Sequence, residues 1–227
     1  MRAPSYAVVK IPDAMSFDEA ARLGYIGTAY GALRRGGVGP ESVVLINGAS
    51  GTLGLGAVIS ALALGARRIL GVARNRALLE RVKALAPGRI ETWSVDDGPM
   101  DQWVLKMTDG EGVDAALDCL PFGSPPEIFI SALNLIRRGG VMINAGGVVG
   151  DVPIPLGALM IKGVTLVSSN WFNPKHAREM AALVESGLLN VSNFVHHAYG
   201  LDQIEQAVSG FDSRNGGFTN IVIRPHE

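Results

Sequence analysis

Cysteine is nearly missing from the chain: Cys119 stands alone among 227 residues. An internal disulfide is excluded, and so is a zinc site built from several thiolates. Charge is also scarce and balanced, with 20 Lys and Arg against 21 Asp and Glu. Nothing in that balance draws the protein to nucleic acid or to an anionic membrane. Long apolar runs are absent too. The longest, residues 53–66, is interrupted by Gly54, Gly56, Ser60 and Gly65, and it falls short of the roughly 20 residues that cross a bilayer. No apolar stretch follows Met1-Arg2-Ala3-Pro4-Ser5 as it does in a signal peptide. These absences lead us to expect a soluble, cytoplasmic protein that handles a small molecule.

Glycine and small apolar residues are what the chain has in plenty. Gly counts 29 and hydrophobic residues reach 48%, enough for a sizeable core and too much for a disordered chain. Short β-branched runs alternate with helical stretches. Strands are expected at 43–46, 68–72, 90–95, 113–118, 141–144 and 164–167, and helices at 53–64, 75–85, 100–108, 125–136 and 174–187. Arg137 and Arg138 carry a charge suited to closing the helix before them. This alternation predicts an α/β fold, a Rossmann doubly wound parallel sheet with helices on both faces. Residues 36–195 make up that unit. Residues 1–35 read as a linker and a helix over 16–35, with Ser16 and Glu19 as a capping-box pair at its start. Residues 196–227 read as a returning helix and strand.

The most informative segment is Asn47-Gly48-Ala49-Ser50-Gly51-Thr52-Leu53-Gly54. A strand precedes it and an apolar helix follows. In such a turn the first glycine allows a sharp bend, the second a close approach to a pyrophosphate, and the third close helix–strand packing. The helix N-terminus adds free N–H donors and partial positive charge. Ser50, Gly51, Thr52, Leu53 and Gly54 are therefore the expected diphosphate seat. The next strand ends in Val72-Ala73-Arg74-Asn75-Arg76, where an NAD-preferring unit usually carries Asp or Glu. Arg74, Asn75 and Arg76 instead suit a 2′-phosphate, because guanidinium forks bind phosphate oxygens in pairs. The expected cofactor is NADP(H).

With these pieces in place the chain resembles the medium-chain dehydrogenase/reductase superfamily, and within it the zinc-independent quinone oxidoreductase and enoyl reductase branch. The resemblance rests on five stretches in family order: Ile11 to Ala21, Gly27 to Leu33, the glycine turn with Leu64-Gly65-Ala66, Gly112 to Asp118 with Arg138 to Gly147, and Asn220 to Pro225. It implies an oxidoreductase passing hydride to a quinone, carbonyl or activated alkene. It also implies that Thr28 touches the carboxamide and that Cys119, Leu120, Ala145 and Gly146 line the nicotinamide half. Family members begin with a GroES-like domain that supplies much of the active site, and the matching stretches start after it. Where zinc-dependent relatives carry a cysteine ligand, this chain has Gly24, so no metal is assigned. Catalytic residues are left unassigned. The alternatives are a dinucleotide-binding module without catalysis, or a zinc-dependent alcohol dehydrogenase whose ligands lie in that other domain.

Other features pull in different directions. A short-chain dehydrogenase requires Tyr-x-x-x-Lys after its fourth strand, and Tyr6 and Lys10 stand before the glycine turn instead. His196-His197 has no ligand partner at helical spacing. His176 is expected in the first turn of an exposed helix. Trp171-Phe172 suits either a substrate wall or a subunit contact. Residues 163–169 read as an uncharged, unprotected edge strand, which invites pairing with another copy. The resembling family dimerises there, so a symmetric homodimer is expected.

Overall fold

The structure, a computed structural model, describes residues 3–210 and 216–225. Its centre is a six-stranded parallel sheet: β1 (Val43–Asn47), β2 (Arg68–Ala73), β3 (Ile90–Ser94), β4 (Val113–Asp118), β5 (Ile136–Asn144) and β6 (Thr165–Ser168). The strand order is β3-β2-β1-β4-β5-β6. Direction of travel reverses between β1 and β4, and ligands of open α/β sheets bind at such a switch point, outside the carboxyl ends of the strands.

Strand alternation divides the core into two layers. Val44, Ile46, Ile69, Ala115, Leu117 and Ile143 face one side. There they meet α2 (Leu23–Arg35), α3 (Thr52–Ala63), α4 (Arg76–Ala84) and α8 (Pro174–Glu185). Val43, Leu45, Leu70, Val72, Ala116 and Met142 face the other side, against α5 (Asp101–Met107) and α6 (Pro126–Asn134). Trp93 and Trp103 stack at the border of this second layer, with ring centroids 5.7 Å apart. Helices on both faces make the sheet doubly wound, and every central strand is buried on two sides, as apolar strands of this kind require.

Two expectations need correction, and one helix was not foreseen. The helix expected over 16–35 is two, α1 (Phe17–Ala20) and α2. The capping box forms, with Ser16 N donating to the Glu19 carboxylate at 2.8 Å and Glu19 N to Ser16 Oγ at 3.2 Å. The break then lets Arg22 turn inward, where it donates to the Gly217 carbonyl and lies 5.0 Å from the Phe194 ring. Arg137 and Arg138 do not close a helix. α6 stops at Asn134 and both arginines belong to β5. Val113 N donates to Leu135 O at 2.9 Å, so sheet pairing starts at once. Arg137 then pairs with Asp114 at 2.6 Å, and Arg138 donates to Ile161 O at 2.7 Å. A helix at α7 (Leu156–Lys162) was not expected at all. Prolines on its N-terminal side and Gly157 within it mask its pattern.

His176 does sit in the first turn of α8, but that helix is docked, not free. Tyr30 donates to Glu179 at 2.8 Å and its ring meets the His176 ring edge-on at 6.0 Å. Burial holds the His176 pKa below its usual value. Burial and the Glu179 contact push Tyr30 up to about 12. Beyond the main sheet, β7 (Val195–Gly200) and β8 (Thr219–Arg224) form a parallel pair beside α9 (Ile204–Ser209). His196 is engaged there by Asn220 at 3.0 Å. Among the described residues no helix is long and apolar enough to cross a membrane.

Candidate functional site

The turn after β1 stands at the carboxyl ends of the strands, where open sheets of this kind take a ligand. Gly48 adopts φ +79°, a conformation that favours glycine. Gly48 and Ala49 both donate to Val72 O, at 2.8 and 3.0 Å. That ties the turn to β2. A Cβ on Gly54 would overlap the Gly48 carbonyl, so the third glycine seats α3 directly on the turn. Gly51 is different. It is the N-cap of α3, in extended conformation, and a Cβ there would meet only Gly48 O at 3.2 Å. No side chain caps this helix. Helix geometry leaves its first N–H groups, on Thr52, Leu53 and Gly54, without intrahelical partners. Gly217 N donates to Ser50 O at 2.7 Å, which occupies a carbonyl of the turn rather than its donors. The donor side is thus shaped for an anion.

At the end of β2, Arg74 and Arg76 extend into solvent. The Arg74 side chain is 84% exposed and stands 4.0 Å from Asp96; Arg76 pairs with Asp97 at 2.5 Å. Asn75 is spent as a helix cap, its side-chain oxygen accepting from Leu78 N at 3.1 Å. Sequence reasoning missed the two aspartates. They arrive from the turn after β3, because Ala73 and Ser94 are register partners and Ser94 Oγ donates to Arg74 O at 2.8 Å. The signal in the sequence was the acid pair following the third strand.

The loops after β4 and β5 stand on the other side of the switch point. Cys119 N donates to Asn47 O at 3.0 Å, and Gly147 N to Leu120 O at 3.0 Å. The loops after β4 and β5 are thereby laced together, and Leu120, Ala145 and Gly146 are half-buried in them. Cys119 itself is buried in the core layer of α2 and α3. Burial and the neighbouring Asp118 push its thiol well up, which makes it a poor nucleophile. Thr28 is half-buried on α2, its hydroxyl donating to Gly24 O at 2.9 Å. Close by, the Phe172 ring packs against Gly27 with its edge where a Cβ would be. Trp171 precedes it at φ +57° and is exposed. Asp118, at the end of β4, was not among the expected site residues, yet it is fully buried and its carboxyl pKa is pushed up to about 6 by desolvation.

A family model described as zinc-binding dehydrogenase matches residues 52–186, from the first turn of α3 to the end of α8. The chain belongs to the zinc-binding dehydrogenase family. Within it, an L-idonate 5-dehydrogenase of Vitis vinifera is 30% identical over 94% of this chain, which covers 58% of that protein. A quinone oxidoreductase-like protein 2 homolog of Nematostella vectensis is 27% identical over 90% of the chain and 57% of its own length. The solved alcohol dehydrogenase TADH from Thermus sp. ATN1 superposes with TM-score 0.79 at 26% identity, over 95% of this chain and 62% of the other. The structure of AibC gives 0.83 at 27%, over 98% and 61%. The chain therefore spans about half to three-fifths of its relatives' length. These relatives place it in the medium-chain dehydrogenase/reductase superfamily.

The family's description names zinc, but the described residues do not fit it. No group of three His, Cys, Asp or Glu among them could hold a metal ion. Gly24 offers no donor atom, and the Cys119 thiol is buried and resists ionisation. No step here runs through zinc. A dinucleotide does fit: the uncapped N-terminus of α3 behind Gly51 would offer its N–H groups to a diphosphate.

Proposed function

We propose that this chain is the NADP(H)-binding part of an oxidoreductase that moves hydride between nicotinamide and a carbonyl, a quinone or an activated alkene. The observation that carries it is the uncapped N-terminus of α3 behind Gly51, placed where the strand order reverses. The Thr52 and Leu53 N–H groups would hold the diphosphate, and Ser50 would line its approach. Arg74, with its loose partner Asp96, would take a 2′-phosphate. Leu120, Ala145 and Gly146 would flank the nicotinamide ring, with Cys119 behind them and Thr28 on the α2 side. The bound nicotinamide supplies or accepts the hydride at its C4. The chain's part is to bind, orient and shield that ring from water.

Calorimetry with NADPH and NADH tests the reading, followed by turnover with a quinone, an enone and secondary alcohols. NADPH should bind more tightly. Failure of both to bind overturns the proposal; equal affinities overturn only the choice of NADP(H). Binding without turnover identifies a binding module.

We also propose that the protein pairs with a second copy through β6. This strand has no charged residue, and Leu166 on it is 40% exposed. Leu156, Met160 and Ile161 of α7 are exposed nearby in sequence. Ser169 N donates to Asn144 O, so the alternation of a strand turns the Val167 N–H toward β5 and those of Leu166 and Ser168 outward. Leu166→Pro should therefore yield monomers by light scattering with the sheet intact. A monomeric parent, or an unchanged dimer in the variant, overturns the pairing.

A further inference from the structure

Three neighbouring strands end in polar residues that share one face. Asn47 of β1, Asp118 of β4 and Asn144 of β5 are register partners in a row. Alternation sets them on the side of Leu45, Ala116 and Met142. Asp118 is 0% exposed and Asn47 1%. Neither carboxyl oxygen of Asp118 has a hydrogen-bond partner; nor do the amide nitrogen and oxygen of Asn47, or Oδ1 of Asn144. Native interiors rarely leave even one such group unpaired, and those that persist have a reason.

What the carboxyl touches supplies the reason. A Cβ on Gly146 would overlap its Oδ2 and would also stand 2.9 Å from Leu120 N. The carboxyl is therefore packed under the two loops that flank the cleft beyond β4 and β5. Leu120 N–H approaches closely enough to draw the carboxyl's pKa down against burial. The groups facing it are the Asn47 amide from β1, the Asn144 amide from β5 and the Gly146 backbone, while the Cys119 thiol, next along the chain, turns into the opposite core layer. On the helical side the layer is apolar, with Val104 of α5 and Phe129 and Leu133 of α6. Among the described residues no cation acts on it. A buried group of this kind cannot reach substrate.

We propose that Asp118, seated between Asn47 and Asn144, is a positioning residue that sets the Leu120 and Gly146 backbone for the nicotinamide half of the cofactor. This rests on the reading that the chain binds a nicotinamide dinucleotide. As a carboxylate it only accepts hydrogen bonds, and it would hold Leu120 N–H and the Asn47 amide toward itself. As an acid it donates instead, and that hold on Leu120 is released. Its ionisation should therefore be felt by the nicotinamide and not by the adenosine side.

The test compares NADP+ with 2′-phospho-ADP-ribose, which lacks only the nicotinamide, by calorimetry on the full chain between pH 5 and 8. The ratio of the two affinities cancels the titration of the 2′-phosphate. In the parent protein this ratio should rise about tenfold with a midpoint near 6. In Asp118→Asn it should stay at the low-pH value across the range, while 2′-phospho-ADP-ribose binds as in the parent. A ratio that does not change with pH in the parent, or that changes equally in the variant, overturns the proposal. Equal loss of both ligands in the variant also overturns it, since that is a role in the fold. If neither ligand binds the parent at any pH, the reading of the site fails, and this one with it. The 13C shift of the Asp118 carboxyl in the parent serves if the variant does not fold. NADP+ should lower its titration midpoint, and an unmoved midpoint counts against the proposal.

Discussion

The two halves of the cleft are built on opposite terms. On the side of β2 and β3 the polar groups are exposed and partnered: a turn closed by its own backbone, a capped α4, two arginines each beside an aspartate. On the side of β4, β5 and β6 the constraints are between strands, and several polar atoms at the strand ends are buried without partners. The first half is a rigid seat. The second stores unfavourable burial beneath the loops that the proposed function sets beside the nicotinamide. Sites of this sort commonly sacrifice stability for function.

The seat breaks most easily at its glycines, and the largest effects are expected there. Gly54→Ala would drive a Cβ into the Gly48 carbonyl. The obstacle is backbone, not a flexible side chain, so we expect a loss of about 3 kcal/mol or more, read in urea melts. Gly51→Val meets a milder obstacle: its Cβ would stand 3.2 Å from Gly48 O, a tight contact that a backbone shift of a few tenths of an ångström relieves, in an ordinary backbone conformation. It should melt close to the parent yet bind neither NADPH nor NADH, because the branched side chain fills the diphosphate's place. Normal binding by Gly51→Val would show that the turn only joins β1 to α3.

On the strained side the sign is reversed: a substitution should stabilise. The folded Asp118 carboxyl is held up to about 6 against an ordinary value of 3.8. A carboxyl raised by folding favours the folded state below its unfolded pKa, and that favour is lost as the pH rises through the folded value. At pH 8 the buried charge thus costs about 3 kcal/mol, taking ~1.4 kcal/mol per pH unit of difference. Asp118→Asn, which stays neutral, should be the more stable protein by that order at pH 8. Its advantage should shrink toward zero near pH 4. Denaturant melts at both pH values decide it, and an equal difference at the two would mean that burial of the charge is not the cause.

The same contrast explains what could be read from the sequence. The glycine turn, the capping box at Ser16 and the Asn75 cap are signals a few residues long, and the structure contains each of them. The β1-to-β2 unit was legible because its spacing is local. Asp118 was not, since its burial depends on Asn47 and Asn144 arriving in register from positions 71 residues before it and 26 after it. Asp96 and Asp97 were missed for the same reason: only the β2–β3 pairing brings them to the arginines. Arg137 and Arg138 misled because charge near a helix end looks the same whether it caps that helix or opens the next strand. α7 was lost in a stretch whose prolines and glycines speak for a loop.

The smallest expected effect concerns those arginines, and it sharpens the view of the adenosine half as a balanced seat. A 2′-phosphate arriving there meets guanidiniums already beside carboxylates. Arg76 would have to leave Asp97, whereas Arg74 is 4.0 Å from Asp96 and nearly free in solvent. Arg74→Ala should therefore weaken NADPH more than Arg76→Ala does, and neither should change NADH. Removing the competitor works in the other direction. Asp97→Asn keeps the side chain's size, releases Arg76 and takes away a like charge from the phosphate's neighbourhood. NADPH affinity should rise by roughly two- to fivefold, the modest scale of an exposed ion pair, and the gain should fade in high salt. NADH affinity should stay where it was. If Asp97→Asn strengthens both cofactors alike, the aspartate acts on the shared part of the dinucleotide, and Arg76 does not select the phosphate.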